Sequence, residues 1–142
     1  MPTGTQTLDI PAPADRVWEV ATDLSRYGEW NVTHTGFPEG APQAEQGATF
    51  KEKITIMGMP GEASWTVTEH VAPNRSVWSG EGPMGITLGS KLEIAGSGET
   101  ATVSIEVSFD GGPLAGPMGE TLAKSAEKSA AESLEKLKGI VS

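Results

Sequence analysis

The middle of the chain alternates between apolar and polar residues. Between residues 50 and 110, apolar side chains recur at every second position in five segments, the period of a strand with one buried face. Short stretches rich in Gly, Pro and Asn separate the segments, with the first turn predicted at residues 58–61. Connections of hairpin length make neighbouring strands antiparallel. The defining apolar residues are Phe50, Ile54 and Ile56; Trp65, Val67 and Val71; Val77 and Trp78, whose facing is ambiguous; Ile86, Leu88, Leu92 and Ile94; and Val103, Ile105, Val107 and Phe109.

The region before these strands combines a strand with helical periodicity. Residues 5–10 predict a short strand that ends at two prolines. Apolar positions three and four apart then predict two short helices, and Asp23 is a suitable N-cap for the second. Residues 36–47, which contain two prolines and three glycines, are predicted to form a loop.

The last part of the chain predicts one long amphipathic helix. Pro117 is tolerated only near a helix start, and Gly139 fits a C-terminal stop. The apolar stripe, with steps of three and four, consists of Leu114, Met118, Leu122, Ala126, Ala130, Leu134, Leu137 and Val141.

Small side chains occupy the centre of this helix, whereas Leu and Met lie towards its ends. The small residues are Ala123, Ala126, Ser129, Ala130 and Ser133. Either large residues of the sheet fill the space opposite them, or a cavity remains between helix and sheet. The sequence is consistent with both interpretations.

Composition restricts the class of protein. The 142 residues are predicted to form one domain, 1–142, and the absence of cysteine excludes disulfides and thiolate chemistry. A formal net charge of −9 argues against nucleic acids and anionic membranes as partners, because both are polyanions. Neither a basic, apolar N-terminal signal nor a long apolar span is present, so a cytoplasmic protein without membrane insertion is predicted.

Three segments carry a resemblance to a known family. They are residues 23–30 (DLSRYGEW), the strand–turn segment 58–60 (GMP) leading to 65–67 (WTV), and 111–114 (GGPL) with 116–117 (GP). Together with the order of elements, they resemble the START and polyketide-cyclase superfamily, which includes the major birch-pollen allergen. They are most similar to an actinobacterial subgroup, one mycobacterial member of which is labelled a toxin of a toxin–antitoxin pair.

The resemblance implies an α+β helix-grip fold in a START-like ligand-binding domain. One curved antiparallel sheet of six or seven strands would wrap around the long C-terminal helix, with two short helices after the first strand. It also implies a deep cavity between the helix and the sheet, although a shared fold does not fix function.

We therefore predict a protein that binds an apolar or amphipathic small molecule, such as a lipid or a polyketide, without cofactor or metal. An enzyme of the polyketide cyclase or dehydratase type, with Glu52 or His34 moving protons, is the second hypothesis. A toxin-like regulator with a protein partner, in the manner of an antitoxin, is the third. The predicted ligand-binding residues are Trp30, His34, Phe50, Glu52, Ile54, Trp65, Val67, Trp78, Leu88, Leu92, Val103, Ile105, Met118, Leu122, Ala126 and Ala130.

Four titratable residues lie at or near the predicted inner surface or its edge. Glu52 shares the buried parity of its strand, so its carboxylate is hydrogen-bonded, protonated or facing a wet cavity, unless Glu52 lies at the wet end of the strand. Glu69 shares the buried parity of the next strand but lies near that strand's end, whereas His70 has the opposite parity and is predicted to be solvated. His34 follows the second short helix, where the mouth of the cavity would lie. These groups are predicted to be isolated from one another.

One apparent nucleotide-binding motif is rejected. Residues 80–85 (GEGPMG) match the glycine pattern of dinucleotide-binding proteins. That pattern functions only where a strand leads into a helix whose N-terminus receives the pyrophosphate. Here it joins two predicted strands and contains a proline and an acid.

Overall fold

The computed structural model describes residues 3–82, 85–111 and 116–141, and it contains one antiparallel sheet of seven strands. The strand order across the sheet is β1-β7-β6-β5-β4-β3-β2. The strands are β1 (Thr3–Ile10), β2 (His34–Gly36), β3 (Thr49–Ile56), β4 (Met59–Val71), β5 (Arg75–Glu81), β6 (Thr87–Ser97) and β7 (Thr100–Asp110). The helices are α1 (Ala14–Ala21), a 3-10 helix (Leu24–Glu29) and α2 (Pro117–Val141). This order of elements confirms the predicted fold class.

Helix α2 begins where the sequence indicates and ends later. Pro117 occupies its first position, where the missing backbone N–H is not needed. Gly139 lies inside the helix, which continues to Val141, so the predicted stop at Gly139 is wrong. Leu114, the first residue of the predicted stripe, lies outside the described residues. Met118 is 56% exposed, so the first turn does not continue the buried stripe.

The turn between β3 and β4 consists of Met57 and Gly58, one residue earlier than predicted. Both residues have positive φ angles, 55° and 76°, as a two-residue hairpin turn with the twist of its strands requires. Pro60 therefore belongs to β4, opposite Thr55. It lies beyond the end of β5, which pairs with β4 only from Ser64, so its missing N–H costs no hydrogen bond to that neighbour.

A bulge in β4 reverses the facing predicted for the end of that strand. Val67 pairs with Trp78 and Glu69 pairs with Val77, so Thr68 is an additional residue. After the bulge, His70 pairs with the buried Ser76, and Glu69 reaches Arg75 on the other face. The inward parity assigned to Glu69 and the outward parity assigned to His70 are therefore wrong, because strict alternation does not survive an inserted residue. Glu69 is solvent-accessible, as its place near the end of the strand indicates.

Helix α2 crosses the sheet closely at β1. A Cβ atom added to Gly4 would lie 2.6 Å from the carbonyl oxygen of Ala123, so only glycine allows the backbones this approach. Further along α2, Leu134 and Leu137 are almost fully buried and pack in the main hydrophobic core. The helix is thus held at β1 and along its C-terminal half, which leaves its centre to face the remainder of the sheet.

Candidate ligand-binding site

A cavity of about 90 Å³, partly open to solvent, lies between the centre of α2 and the sheet. Small residues of α2 form one wall, inward-facing residues of β5, β6 and β7 form another, and the region around the 3-10 helix closes a third side. Its lining comprises Ala21, Thr22, Tyr27, Trp30, Asn31, Thr33, Ala44, Ile56, Ser76, Trp78, Ser90, Lys91, Leu92, Ile105, Val107, Phe109, Ala126, Ser129, Ala130 and Ser133.

Six of the predicted ligand-binding residues line this cavity and ten do not. The six are Trp30, Trp78, Leu92, Ile105, Ala126 and Ala130. The ten are His34, Phe50, Glu52, Ile54, Trp65, Val67, Leu88, Val103, Met118 and Leu122. Val67 and Val103 are at most 1% exposed because they fill the core around the cavity. The structure thus brings Ala126 and Ala130, at the centre of α2, together with Trp30 and Trp78.

The sequence carries a signal for several lining residues outside the predicted set. Ser129 and Ser133 belong to the run of small residues in α2, and Val107 and Phe109 share the parity of Ile105. Tyr27 lies three residues before Trp30 on the same predicted helical face, which is also a signal. Asn31 had none, because its placement depends on how the 3-10 helix packs against the sheet.

Glu52 is buried beside His34 and Trp65. The prediction that the Glu52 carboxylate and the His34 imidazole are isolated from each other is therefore wrong. Its carboxylate lies 2.7 Å from His34 Nδ1 and accepts a hydrogen bond of 2.9 Å from Trp65 Nε1. With only 3% of its surface exposed, Glu52 is hydrogen-bonded in the interior and does not lie at a wet strand end. The two oxygens are engaged by different partners, which is the condition for burying a carboxylate.

Tyr27 separates this cluster from the cavity. Its ring is centred 5.0 Å from that of His34, and Tyr27 itself lines the cavity. Burial raises the pKa of the Tyr27 phenol well above its usual value, and the negative charge of Glu52 raises it further. A hydrogen bond from the Asn31 side chain opposes this change. The phenol therefore stays protonated at the cavity wall at neutral pH.

A second polar cluster consists of His70, Ser76 and Trp78, of which Ser76 and Trp78 line the cavity. The Ser76 hydroxyl accepts a hydrogen bond from Trp78 Nε1 at 3.1 Å and lies 3.1 Å from His70 Nδ1. The pKa of His70 is lowered because the ring is partly buried, in part against Trp18. A neutral His70 can accept the hydroxyl hydrogen of Ser76, so these polar groups are satisfied without a ligand.

The indole N–H of Trp30 differs from those of Trp65 and Trp78. Trp30 lines the cavity and is 3% exposed, yet its Nε1 has no hydrogen-bond partner among the described residues. Its nearest aromatic neighbour, Tyr27, stands edge-to-face at a centroid distance of 5.2 Å. An unpaired buried donor of this kind costs about 1–3 kcal/mol.

The lining carries little free charge. Lys91 contributes to it, but its ammonium group lies 3.3 Å from Glu106 and 3.6 Å from Glu93. Within the described ranges, no group of three or more His, Asp or Glu residues is placed to hold a metal ion. The cavity is consequently an apolar and hydroxyl-bearing space without an unpaired ion.

The fold and the cavity together define a helix-grip protein with an internal space between its last helix and its sheet. A START superfamily protein from Mycobacterium smegmatis has the same fold, with a TM-score of 0.76, 18% identity, and 98% of this chain and 96% of its own covered. The chain belongs to the family described as polyketide cyclase / dehydrase and lipid transport, whose model matches residues 1–141. The resemblance inferred from the sequence is therefore confirmed.

Two further comparisons describe the range of relatives. The ZhuI aromatase/cyclase from Streptomyces sp. R1128 shares the fold with a TM-score of 0.75 and 16% identity, covering 98% of this chain and 92% of its own. A Mycobacterium tuberculosis (strain H37Rv) protein named "Toxin Rv0910" is 28% identical over 130 residues, which are 91% of this chain and 90% of the relative. In the part of the chain that is described, no helix is long and apolar enough to cross a membrane.

Proposed function

We propose that this protein binds an apolar or amphipathic small molecule in the cavity between α2 and the sheet. The observation that supports the proposal is the open volume beside Ala126 and Ala130, where a packed core would place large side chains. Aromatic and aliphatic groups form most of the surrounding wall, and hydroxyl groups provide a few polar contacts. This combination is typical of sites for small organic ligands.

The size of the cavity restricts the ligand. A volume of about 90 Å³ is well below the roughly 300–1,000 Å³ of sites for drug-sized molecules. It is also smaller than the roughly 150 Å³ of an apolar cavity that binds benzene. The cavity therefore accommodates a short chain, or one end of a larger molecule whose remainder extends through the opening.

The enzyme hypothesis has one observation in its favour. His34 and Glu52 are two titratable groups at 2.7 Å, separated from the cavity by Tyr27. Neither lines the cavity, however, and both carboxylate oxygens of Glu52 are already engaged. A general base must reach the proton that it removes, so this arrangement favours a structural role for the pair.

The relative named as a toxin supports the third hypothesis, a regulator with a protein partner. The name belongs to that relative, and for the present chain a partner resembling an antitoxin remains a proposal. The net charge of −9 disfavours RNA or DNA as the molecule on which such a regulator acts. Ligand binding and a protein partner are compatible, because the cavity occupies only the interior side of α2.

Binding to the cavity is expected to stabilise the protein against urea. A ligand that binds only the folded state adds RT ln(1 + [L]/Kd), about 2.7 kcal/mol at a concentration of about 100 Kd. The protein is first unfolded in denaturant and refolded, so that any bound molecule is removed. We then expect isopropylbenzene, a neutral single-ring probe, to raise the urea midpoint of the protein. Native mass spectrometry before that treatment should show a neutral molecule bound to part of the protein.

The probe titration has a clear contrary result. If isopropylbenzene leaves the urea midpoint unchanged up to its solubility limit, and the untreated protein has only the mass of the bare chain, the cavity does not bind ligands. Ala126→Leu, in which a larger side chain fills the cavity, is the control. A change that isopropylbenzene causes in the urea midpoint of this variant is an effect of the probe on the solvent and not of binding.

A further inference from the structure

We infer that two copies of this chain associate through β1, whose outer edge is open for antiparallel pairing with β1 of a second copy. The inference does not depend on the cavity and concerns how the protein assembles. It follows from the unpaired backbone groups of β1, from the contrast with the protected edge at β2, and from the side chains that self-pairing would bring together.

Strand β1 lies at one end of the strand order, so only one of its two edges is paired. All eight residues from Thr3 to Ile10 pair with β7. In an antiparallel strand, alternate residues direct their N–H and C=O groups away from the existing neighbour. The backbone of residues 4–9 makes no hydrogen bond, among the described residues, other than those with β7. A row of backbone donors and acceptors is therefore open at this edge.

Helix α2 packs on the inner face of β1, whereas the unpaired backbone groups lie in the plane of the sheet. Gly4, against which α2 packs, has the same parity as the fully buried Ile10, so both face the interior. Thr5, Thr7 and Asp9 have the opposite parity and are exposed. A strand added beside β1 would extend the sheet, and its hydrogen bonds would not replace any contact of α2.

The two edges of the sheet differ in how they are protected. An open edge invites pairing with another chain, and short strands, bulges, prolines and lysines commonly prevent it. The opposite edge strand, β2, has three residues and a register shift in its pairing with β3. Strand β1 has eight residues, pairs with β7 without a register shift, and contains neither proline nor lysine. The features that keep the β2 edge unpaired are thus missing at β1.

Self-pairing of β1 brings compatible side chains together. A two-fold axis beside Gln6 would place Thr5 opposite the partner's Thr7 on the outer face, and Thr–Thr pairs across strands are favourable. Asp9 is the one charged residue of β1 and would oppose Thr3, so no like charges meet directly. A second copy thus supplies a strand of matching length with an uncharged, threonine-rich outer face. For this reason we assign the edge to a second copy and not to a segment of a different protein.

The acidic character of the chain sets the salt dependence of this association. Each copy carries a formal net charge of −9, and Glu127 of α2 lies beside Gly4, so two copies repel each other. Salt screens this repulsion over a Debye length of about 10 Å at 0.1 M. The association should therefore become stronger as salt is added, which is the opposite of the behaviour of an interface held by ion pairs.

Sedimentation equilibrium of the whole chain over about 1–300 µM tests the inference, because this range covers micromolar dissociation constants. We expect the mean mass to rise from 14.8 kDa towards twice that value, and to do so at lower concentrations when salt is added. Thr5→Lys combined with Thr7→Lys should weaken the association at least about tenfold, because it places ammonium groups opposite each other across the axis. Thr66→Lys combined with Thr87→Lys is the matched control. It makes the same change in charge at exposed positions of β4 and β6, away from the edge, and should not weaken the association.

Amide hydrogen exchange on the unaltered protein provides a readout that does not depend on the variants folding. The amides of residues 4–9 that point away from β7 should exchange rapidly at low protein concentration and slowly at high concentration. A protein that is monomeric over the whole concentration range overturns the inference, including the case in which β1 pairs with a different protein. An association that salt dissociates, that both double variants affect equally, or that protects other strands and not β1 also overturns it. None of these outcomes bears on the cavity, which the isopropylbenzene titration tests separately.

Discussion

Replacing Glu52 by alanine is expected to destabilise the protein by about 3 kcal/mol or more. Leaving one buried hydrogen-bonding group without its partner typically costs about 1–3 kcal/mol, because that group stays buried and unsatisfied. Here two groups would be left, His34 Nδ1 at 2.7 Å and Trp65 Nε1 at 2.9 Å from the carboxylate. The measurement is the free energy of unfolding from urea titrations of the wild type and Glu52→Ala.

Two further variants show whether burial and hydrogen bonding cause this loss. Glu62→Ala removes an exposed carboxylate from the paired strand and should change stability by less than about 0.5 kcal/mol. Glu52→Gln keeps an oxygen for Trp65 and a polar group for His34, so it should retain much of the stability. A Glu52→Ala protein as stable as Glu62→Ala would contradict the structural role. Loss of about a hundredfold in turnover of a polyketide-like substrate by Glu52→Gln, about 2.7 kcal/mol in barrier, would instead support the enzyme hypothesis.

Filling the cavity is expected to abolish ligand binding without loss of stability. Ala126→Leu adds three carbon atoms on the helix face that lines the cavity. If they enter open space, burial contributes up to about 2.4 kcal/mol to stability, at about 0.8 kcal/mol for each buried carbon. The probe then loses its site, and its affinity should fall at least about tenfold. Urea midpoints and isopropylbenzene titrations of both proteins provide the measurement.

The same substitution one turn earlier gives the opposite expectation. Ala123 is buried but does not line the cavity, and its backbone lies against β1 at Gly4. Ala123→Leu therefore has no space to enter, and overpacking costs about 1–3 kcal/mol. Equal destabilisation by Ala123→Leu and Ala126→Leu would show that the space beside Ala126 is not open.

The order of elements was predictable because it depends on local periodicity. The alternation from Thr100 to Asp110 and the helical period of α2 each result from one buried face, and the structure confirms both. Strand β2 was missed because three residues, His34–Gly36, are too few to show a period of two. The facing of His70 was wrong because the bulge at Thr68 cannot be read from side-chain types alone.

The site was only partly predictable, since it depends on contacts between residues distant in sequence. Parity correctly indicated that Glu52 faces inward, but its partners are 18 and 13 residues away and are brought to it by strand pairing. Inward facing also does not distinguish a cavity wall from a packed core, as Val103 shows. That distinction depends on where α2 crosses the sheet, which the close contact at Gly4 determines.

The most direct test of the central claim is the position of a bound probe in solution. Intermolecular nuclear Overhauser effects between isopropylbenzene and the methyl groups of the protein report this position. Binding between α2 and the sheet predicts contacts to Ala126 and Ala130 from the helix and to Leu92 and Ile105 from the strands. Contacts only to exposed methionines such as Met57 and Met118, with none to the two alanines, would show that the probe binds the surface and that the cavity is not the binding site.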